Sequence, residues 1–130
     1  MTVDQITEET IKILIDRFYH KVRGDAELGP VFAEGVGETD AEWEPHLKRM
    51  YDFWSSVMLA SGKYQGNPMK KHKDLPPFKE ELFDRWLELF EQTVREVHSG
   101  EVVERYITVS NRIAESLKLG LYFRPTTSLI

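Results

Sequence analysis

Residues 7–23 read TEETIKILIDRFYHKVR. Ile11, Leu14, Ile15, Phe18, Tyr19 and Val22 recur at steps of three and four, the repeat that puts apolar side chains on one face of an α-helix. Gly24-Asp25 ends the pattern, so a long amphipathic helix is predicted over 7–23. Working outward, a short segment carries Leu28, Val31 and Phe32 around Pro30, and Gly35-Val36-Gly37 breaks it. Thr39-Asp40-Ala41-Glu42 has the form of a capping box. Trp43, His46, Leu47, Met50, Trp54, Val57 and Met58 then share one face. Pro45 inside a helix removes a hydrogen bond and crowds the preceding turn, and it suits the first helical position. The regular helix is therefore placed from Pro45 onward, with 39–44 as a separate turn.

Tyr64-Gln65-Gly66-Asn67-Pro68 reads as a loop and 69–75 as a short helix stopped by Pro76-Pro77. A third long helix is predicted over 78–98, with Leu82, Trp86, Leu89, Phe90, Thr93 and Val97 on one face. The last is predicted over 101–119, with Val102, Tyr106, Val109, Ile113 and Leu117. The tail 121–130 has no pattern and is expected to be mobile. No segment alternates convincingly as a strand. The expectation is an all-α protein with a single domain over 1–130 and its core over about 8–120.

Composition narrows the chemistry. The 130 residues suit one domain, and apolar residues make up 41%. Net charge is −5, and no basic stripe of the kind nucleic-acid binders carry is visible; the densest cluster, Lys70, Lys71 and Lys73, is followed at once by Asp74. No apolar run reaches the length of a membrane span, and Met1 to Gln5 lack a signal-peptide layout, so the expectation is a cytoplasmic protein. With no cysteine there is no disulfide, iron–sulfur cluster, thiolate-ligated haem or C-x-x-C-H attachment. The residues three before His20, His46, His72 and His98 are Arg17, Trp43, Met69 and Arg95. None is acidic, so the Glu-x-x-His of a carboxylate-bridged di-iron bundle is missing. H-E-x-x-H, a glycine-rich phosphate loop and G-x-S-x-G are missing too.

Four polar-tipped side chains sit on apolar faces of different predicted helices: Tyr19, His46, His72 and Trp86. Each alone reads as ordinary core; together they can address one space. His72 lies on a two-turn helix too short to be stable by itself. A metal–imidazole bond would order such a segment, with Leu75 one turn on beside the same ligand. Spacing alone leaves His72 open between that role and an exposed residue of a basic loop. One metal on one histidine, in an aromatic-rich helical protein, makes haem the economical candidate.

The strings Phe18-Tyr19…Leu28-Gly29-Pro30-Val31-Phe32, His46-Leu47…Asp52-Phe53-Trp54-Ser55-Ser56, Tyr64…Gly66-Asn67-Pro68…His72…Leu75 and Phe83-Asp84-Arg85-Trp86…Phe90, in this order, resemble the third group of bacterial truncated haemoglobins. The resemblance covers about residues 10–120. It implies a globin-like two-over-two helical sandwich around haem b. His72 matches the proximal iron ligand, and Tyr19, His46 and Trp86 match the distal positions. Phe32 matches the Phe that stacks on haem. Met50, Trp54, Tyr64, Leu75 and Phe90 are then expected to wall the pocket, and Arg49 to meet a propionate.

The resemblance implies binding of O2, NO or CO. Hydroxyl and indole donors aimed at the ligand would stabilise charge developing on it. It leaves open NO dioxygenase or peroxidase-like turnover, either served by a reductase. Two departures stand out: Leu82 occupies a position where the family often has His, and Pro45 directly precedes His46. Two other functions compete. A cofactor-free helical interaction domain would use the same residues as plain core. A haem sensor would need an output domain, for which 130 residues leave no room.

Overall fold

Thr7 opens α1 (Glu8–Gly24) with extended backbone and a hydroxyl that accepts from the Thr10 amide at 3.1 Å. The Thr10 hydroxyl accepts from the Thr7 amide at 2.9 Å in return. This reciprocal pair satisfies amides that the first turn of a helix otherwise leaves without partners. Ile11, Leu14, Ile15, Phe18, Tyr19 and Val22, the stripe read from the sequence, are all buried. Then come α2 (Leu28–Gly35), α3 (Asp40–Leu59), α4 (Pro68–Lys73), α5 (Leu82–Val97) and α6 (Glu101–Tyr122). The structure is a computed structural model and describes residues 2–122. Among these the sole β feature is an isolated bridge between Val3 and His98.

α1 is the hub: it packs against α2, α3 and α5, while α5 rests on α6 and α4 on α6. The α1/α3 pair thus lies over the α5/α6 pair, the expected two-over-two sandwich. Its main core joins Phe18, Trp54, Phe90 and Tyr106 from all four long helices. Phe90 lies face to face with Trp86 (centroids 5.3 Å, planes 2° apart) and with Trp54 (4.8 Å, 19°). A second cluster of Phe83, Ala114 and Leu117, with Met69 and Phe78 packed on it, sits where α4 meets α6. At Gly120 a Cβ would meet the far end of the Met69 side chain, which packs over this glycine where α4 meets α6.

α4 spans Pro68–Lys73 where 69–75 was predicted, and three boundaries of the long helices differ from the sequence reading. α3 does not begin at Pro45; it runs through it from Asp40. The Thr39–Glu42 capping box forms in full, and the Trp43 indole donates to the Gly37 carbonyl at 2.9 Å, which anchors the first turn. The carbonyl of Ala41, which loses its donor to Pro45, lies on the exposed side where water can serve it. α5 begins at Leu82 and not at residue 78, because 79–84 are joined by tighter i→i+3 bonds after the diproline. α6 continues to Tyr122, whose hydroxyl donates to the Phe78 carbonyl at 2.8 Å. The expected mobile tail therefore begins inside a helix at 121 and 122, and the rest of it lies outside the described residues. Val57, placed on the buried face of α3, is 40% exposed.

Candidate functional site

Between α1, α2 and α3 on one side and α4, α5 and α6 on the other lies a cavity of about 350 Å3. Every element contributes a wall. Leu28, Val31, Phe32 and Val36 come from α2 and its end, Met50, Phe53 and Trp54 from α3, Phe83 and Trp86 from α5, and Ile113, Ala114 and Leu117 from α6. Tyr19, His46, Arg49, Tyr64, His72, Leu75 and Leu82 line it as well. The walls are mainly apolar and rich in aromatic rings, as small-molecule sites usually are.

His72 enters from α4. Asn67 caps this helix by accepting the Lys70 amide at 3.1 Å, and Pro68 takes the first position, where its missing N–H costs nothing. None of the six residues of α4 is buried, so the helix owes its place to α6 and the cavity wall. The Nδ1 atom of His72 lies 2.6 Å from the Pro68 carbonyl oxygen. A carbonyl only accepts, so this contact puts a proton on Nδ1; in the neutral ring that leaves the lone pair on Nε2, the tautomer a metal needs. The Phe83 ring lies 29° from parallel to the imidazole, with the ring centroids 6.5 Å apart.

Tyr19, His46 and Trp86 line the same cavity from α1, α3 and α5. The Tyr19 and His46 rings meet edge to face at 5.2 Å; Trp43 holds both, at 5.6 and 5.2 Å, and Phe32 packs on Tyr19 at 5.9 Å. Burial pushes the Tyr19 hydroxyl well above its ordinary value, and a hydrogen bond from the Trp86 side chain works in the opposite sense. Tyr19 is therefore a neutral O–H donor at any physiological pH. Burial, with the charges of Arg49 and His72 as smaller causes, pushes the His46 imidazole down to about 4. Its Nε2 is buried and has no hydrogen-bond partner in the protein. A polar atom left in that state is costly unless something else meets it.

The sequence reading placed Phe90 in the wall. The structure puts it one layer behind, fully buried against Trp86 and Trp54, which do line the cavity. The reading missed Leu28, Val31, Phe53, Phe78, Phe83 and Lys71 as lining residues. Phe83 stood in the quoted Phe-Asp-Arg-Trp string, and Lys71 directly precedes His72, so both had a signal. Leu82, noted as a departure, presents an apolar side chain to the wall. Glu42 reaches the cavity rim, but its carboxylate is held by the Thr39 hydroxyl and amide, which keep it below the usual carboxylate range.

What can such a site hold? Among the described residues no group of three or more His, Asp or Glu is arranged to bind a bare metal ion. A single imidazole lone pair suits a metal that brings its other ligands with it. The aromatic walls suit a flat apolar macrocycle, and Arg49 and Lys71 at the lining suit anionic groups at its edge. Haem meets all of these conditions. The unpartnered His46 Nε2 and the Tyr19 hydroxyl, contributed by the opposite set of helices, fit a polar ligand beyond the metal.

Comparison with known proteins agrees. The sequence model of the bacterial-like globin family matches residues 3–118. A group 3 truncated haemoglobin of Campylobacter jejuni is 39% identical over 122 residues, spanning 94% of this chain and 96% of that protein. The crystal structure of the group III truncated haemoglobin from Campylobacter jejuni matches with a TM-score of 0.92 at 38% identity, over 97% of this chain and 99% of that one. The chain belongs to the bacterial-like globin family and is a haem-binding globin of the group 3 truncated haemoglobin type.

Proposed function

We propose that this globin holds haem b through His72 Nε2 and binds a diatomic ligand, O2, NO or CO, on the side of Tyr19, His46 and Trp86. The observation that supports the reading is that one cavity is lined both by His72 of α4, whose Nδ1 is held at the Pro68 carbonyl, and by the polar tips of Tyr19, His46 and Trp86 from α1, α3 and α5. The absence of cysteine excludes thiolate ligation and C-x-x-C-H attachment, which agrees with non-covalent haem on histidine. When bound, haem would supply a redox-active iron able to take up a small ligand. The protein supplies everything else. The Pro68 carbonyl fixes the His72 tautomer and raises the basicity of Nε2. Tyr19 holds an O–H donor in a dry environment, where a hydrogen bond to a ligand that gains negative charge is stronger than in water. Trp86 adds an N–H donor in the same region, and His46 stays neutral and able to donate. Phe32, Met50, Trp54, Tyr64 and Leu75 exclude water around these donors, Phe90 backs the wall, and Arg49 pairs with a propionate.

The test is the visible absorption spectrum of haem-reconstituted protein, ferric and then reduced under CO, for wild type and His72→Ala. A sharp Soret band that shifts on reduction and on CO addition, and that broadens or disappears in His72→Ala, is the expected result. An unchanged spectrum in His72→Ala, from protein with wild-type helicity, removes His72 as the ligand.

A further inference from the structure

The starts of two pocket-lining helices lack a side-chain cap of their own: Glu27 before α2 and Glu81 before α5 make no capping hydrogen bond. One carboxylate reaches both helices, capping α2 and pairing with a side chain in the first turn of α5. Asp25 Oδ2 accepts from the amides of Glu27 at 3.1 Å and Leu28 at 3.0 Å, and so caps α2 from outside it. Asp25 Oδ1 accepts from Arg85 Nε at 2.9 Å and from Nη2 at 2.7 Å. The Asp25 side chain is only 7% exposed and Arg85 34%, so the pair is sheltered from solvent on the carboxylate side. Arg85 also reaches Glu88 one turn on, which fixes the guanidinium from behind.

This places a rigid tie where three walls of the cavity converge. Asp25 follows the last turn of α1, the helix of Tyr19. It caps α2, which carries Phe32, and it grips α5 at the residue before Trp86. We infer that Asp25 and Arg85 are positioning residues for the Tyr19–Trp86 donor pair, acting on the bound ligand through the rotation and height of the first turn of α5. This rests on the reading that Tyr19 and Trp86 face the ligand. The rings around Trp86 do not fix it fully. Phe90 lies parallel to the indole and Phe18 meets it edge-on at 5.4 Å, which sets the plane of the ring. Sliding within that plane, which decides how far Nε1 sits from Tyr19 and from the ligand, is left to the helix that carries it. A hydrogen bond is sensitive to that displacement, losing most of its strength over a fraction of an ångström to an ångström.

The test compares haem-loaded wild type, Arg85→Gln, Arg85→Lys, Asp25→Asn and, as a reference, Trp86→Phe. Two quantities are read: the dissociation rate of O2 and the stretching frequency of CO on the reduced protein, which reports the field of nearby donors. Arg85→Gln and Asp25→Asn are expected to shift the CO frequency in the direction of Trp86→Phe. They are also expected to raise the dissociation rate by up to about tenfold, the worth of one displaced hydrogen bond. Arg85→Lys, which keeps a cation beside Asp25, recovers part of both. If the variants melt lower yet keep the wild-type frequency and rate, the pair is merely structural and the inference is overturned. If Trp86→Phe and Tyr19→Phe themselves leave both quantities unchanged, it is the proposed distal role that fails. Should Arg85→Gln not fold, Arg85→Lys and Asp25→Asn carry the same comparison.

Discussion

Phe90 is the residue through which the core and the cavity wall communicate, and shortening it to Leu tests that directly. Its ring is fully buried. It is stacked between Trp54 and Trp86 and meets Phe18 and Tyr106 edge-on, at 5.1 and 6.1 Å. Aromatic pairs in these geometries contribute about 0.5–1.5 kcal/mol each beyond area burial, and neighbouring terms do not add fully. Complete truncation of a buried Phe to Ala costs about 3–5 kcal/mol, which bounds the total. Leu keeps much of the volume and loses the ring contacts, so Phe90→Leu should cost about 2 kcal/mol. At about 2.1 cal/mol/K per residue, a chain of 130 residues unfolds with an entropy near 0.27 kcal/mol/K, and Tm should fall by about 7 °C. Thermal unfolding followed by circular dichroism, on protein in one ligation state, reads this. Because Trp86 and Trp54 lose their shared support, ligand dissociation should change in the same variant. A Tm within about 2 °C of wild type would refute the reasoning, since it would mean the stack adds nothing beyond the volume it fills.

Four further outcomes are expected. Tyr19→Phe removes the hydroxyl and keeps the ring packing on His46 and Phe32, so O2 release measured by stopped flow should quicken by about tenfold while Tm changes little. Gly35→Ala puts a Cβ 2.5 Å from Leu75 Cδ2, so Leu75 must yield by about an ångström at the cavity wall; haem transfer to an excess of a scavenging apoglobin should speed up. Arg85 holds the Asp25 carboxyl below the usual carboxylate range, so Asp25 contributes stability that is present above its unfolded value near 4 and is lost as pH falls through its folded value. The stability gap between wild type and Asp25→Asn should therefore be constant from neutral pH to about 5 and close in more acid solution, as read by melting at each pH. Ala60 ends α3 in the left-handed region at φ 54°, so Ala60→Gly should raise Tm by a few degrees, corresponding to about 1 kcal/mol.

The helices were legible because their apolar residues repeat with the helical period over long stretches; all six stripe residues of α1 are buried. Boundaries were legible only where a local device sets them. Thr39 and Glu42 marked the start of α3, but the sequence reading gave way to Pro45 and began the helix there; in the structure two capping bonds and the Trp43 indole outweigh one missing amide on a wetted face. The start of α5 had no such mark. It comes from the i→i+3 bonds over 79–84, and its one distant tie, Arg85 to Asp25 60 residues earlier in the chain, is a partner that periodicity cannot register.

The two sides of the cavity differ in legibility for the same reason. What suits His72 to the proposed role is local: its Nδ1 meets the carbonyl four residues back on the same short helix, one turn that Asn67 and Pro68 begin. That much is written in 67–72, although spacing alone could not separate it from a solvated basic loop. The donor side is not local at all. Tyr19, His46 and Trp86 belong to three helices, and what they do depends on how those helices are clamped together. Phe90 could be read as aromatic and apolar, yet whether it touches the cavity or backs the residues that do depends on α5 being rotated by a few tens of degrees. Asp25 shows the limit most clearly. Beside Gly24 it reads as a plain helix stop, while in the structure its carboxylate caps one helix and pairs with Arg85 of another, the tie we infer to set the height at which Trp86 meets Tyr19. A site assembled by tertiary clamps of this kind is sensitive to substitutions that never touch the ligand, which is why the Arg85 and Asp25 variants, and not only those of Tyr19 and Trp86, are the ones that separate packing from positioning.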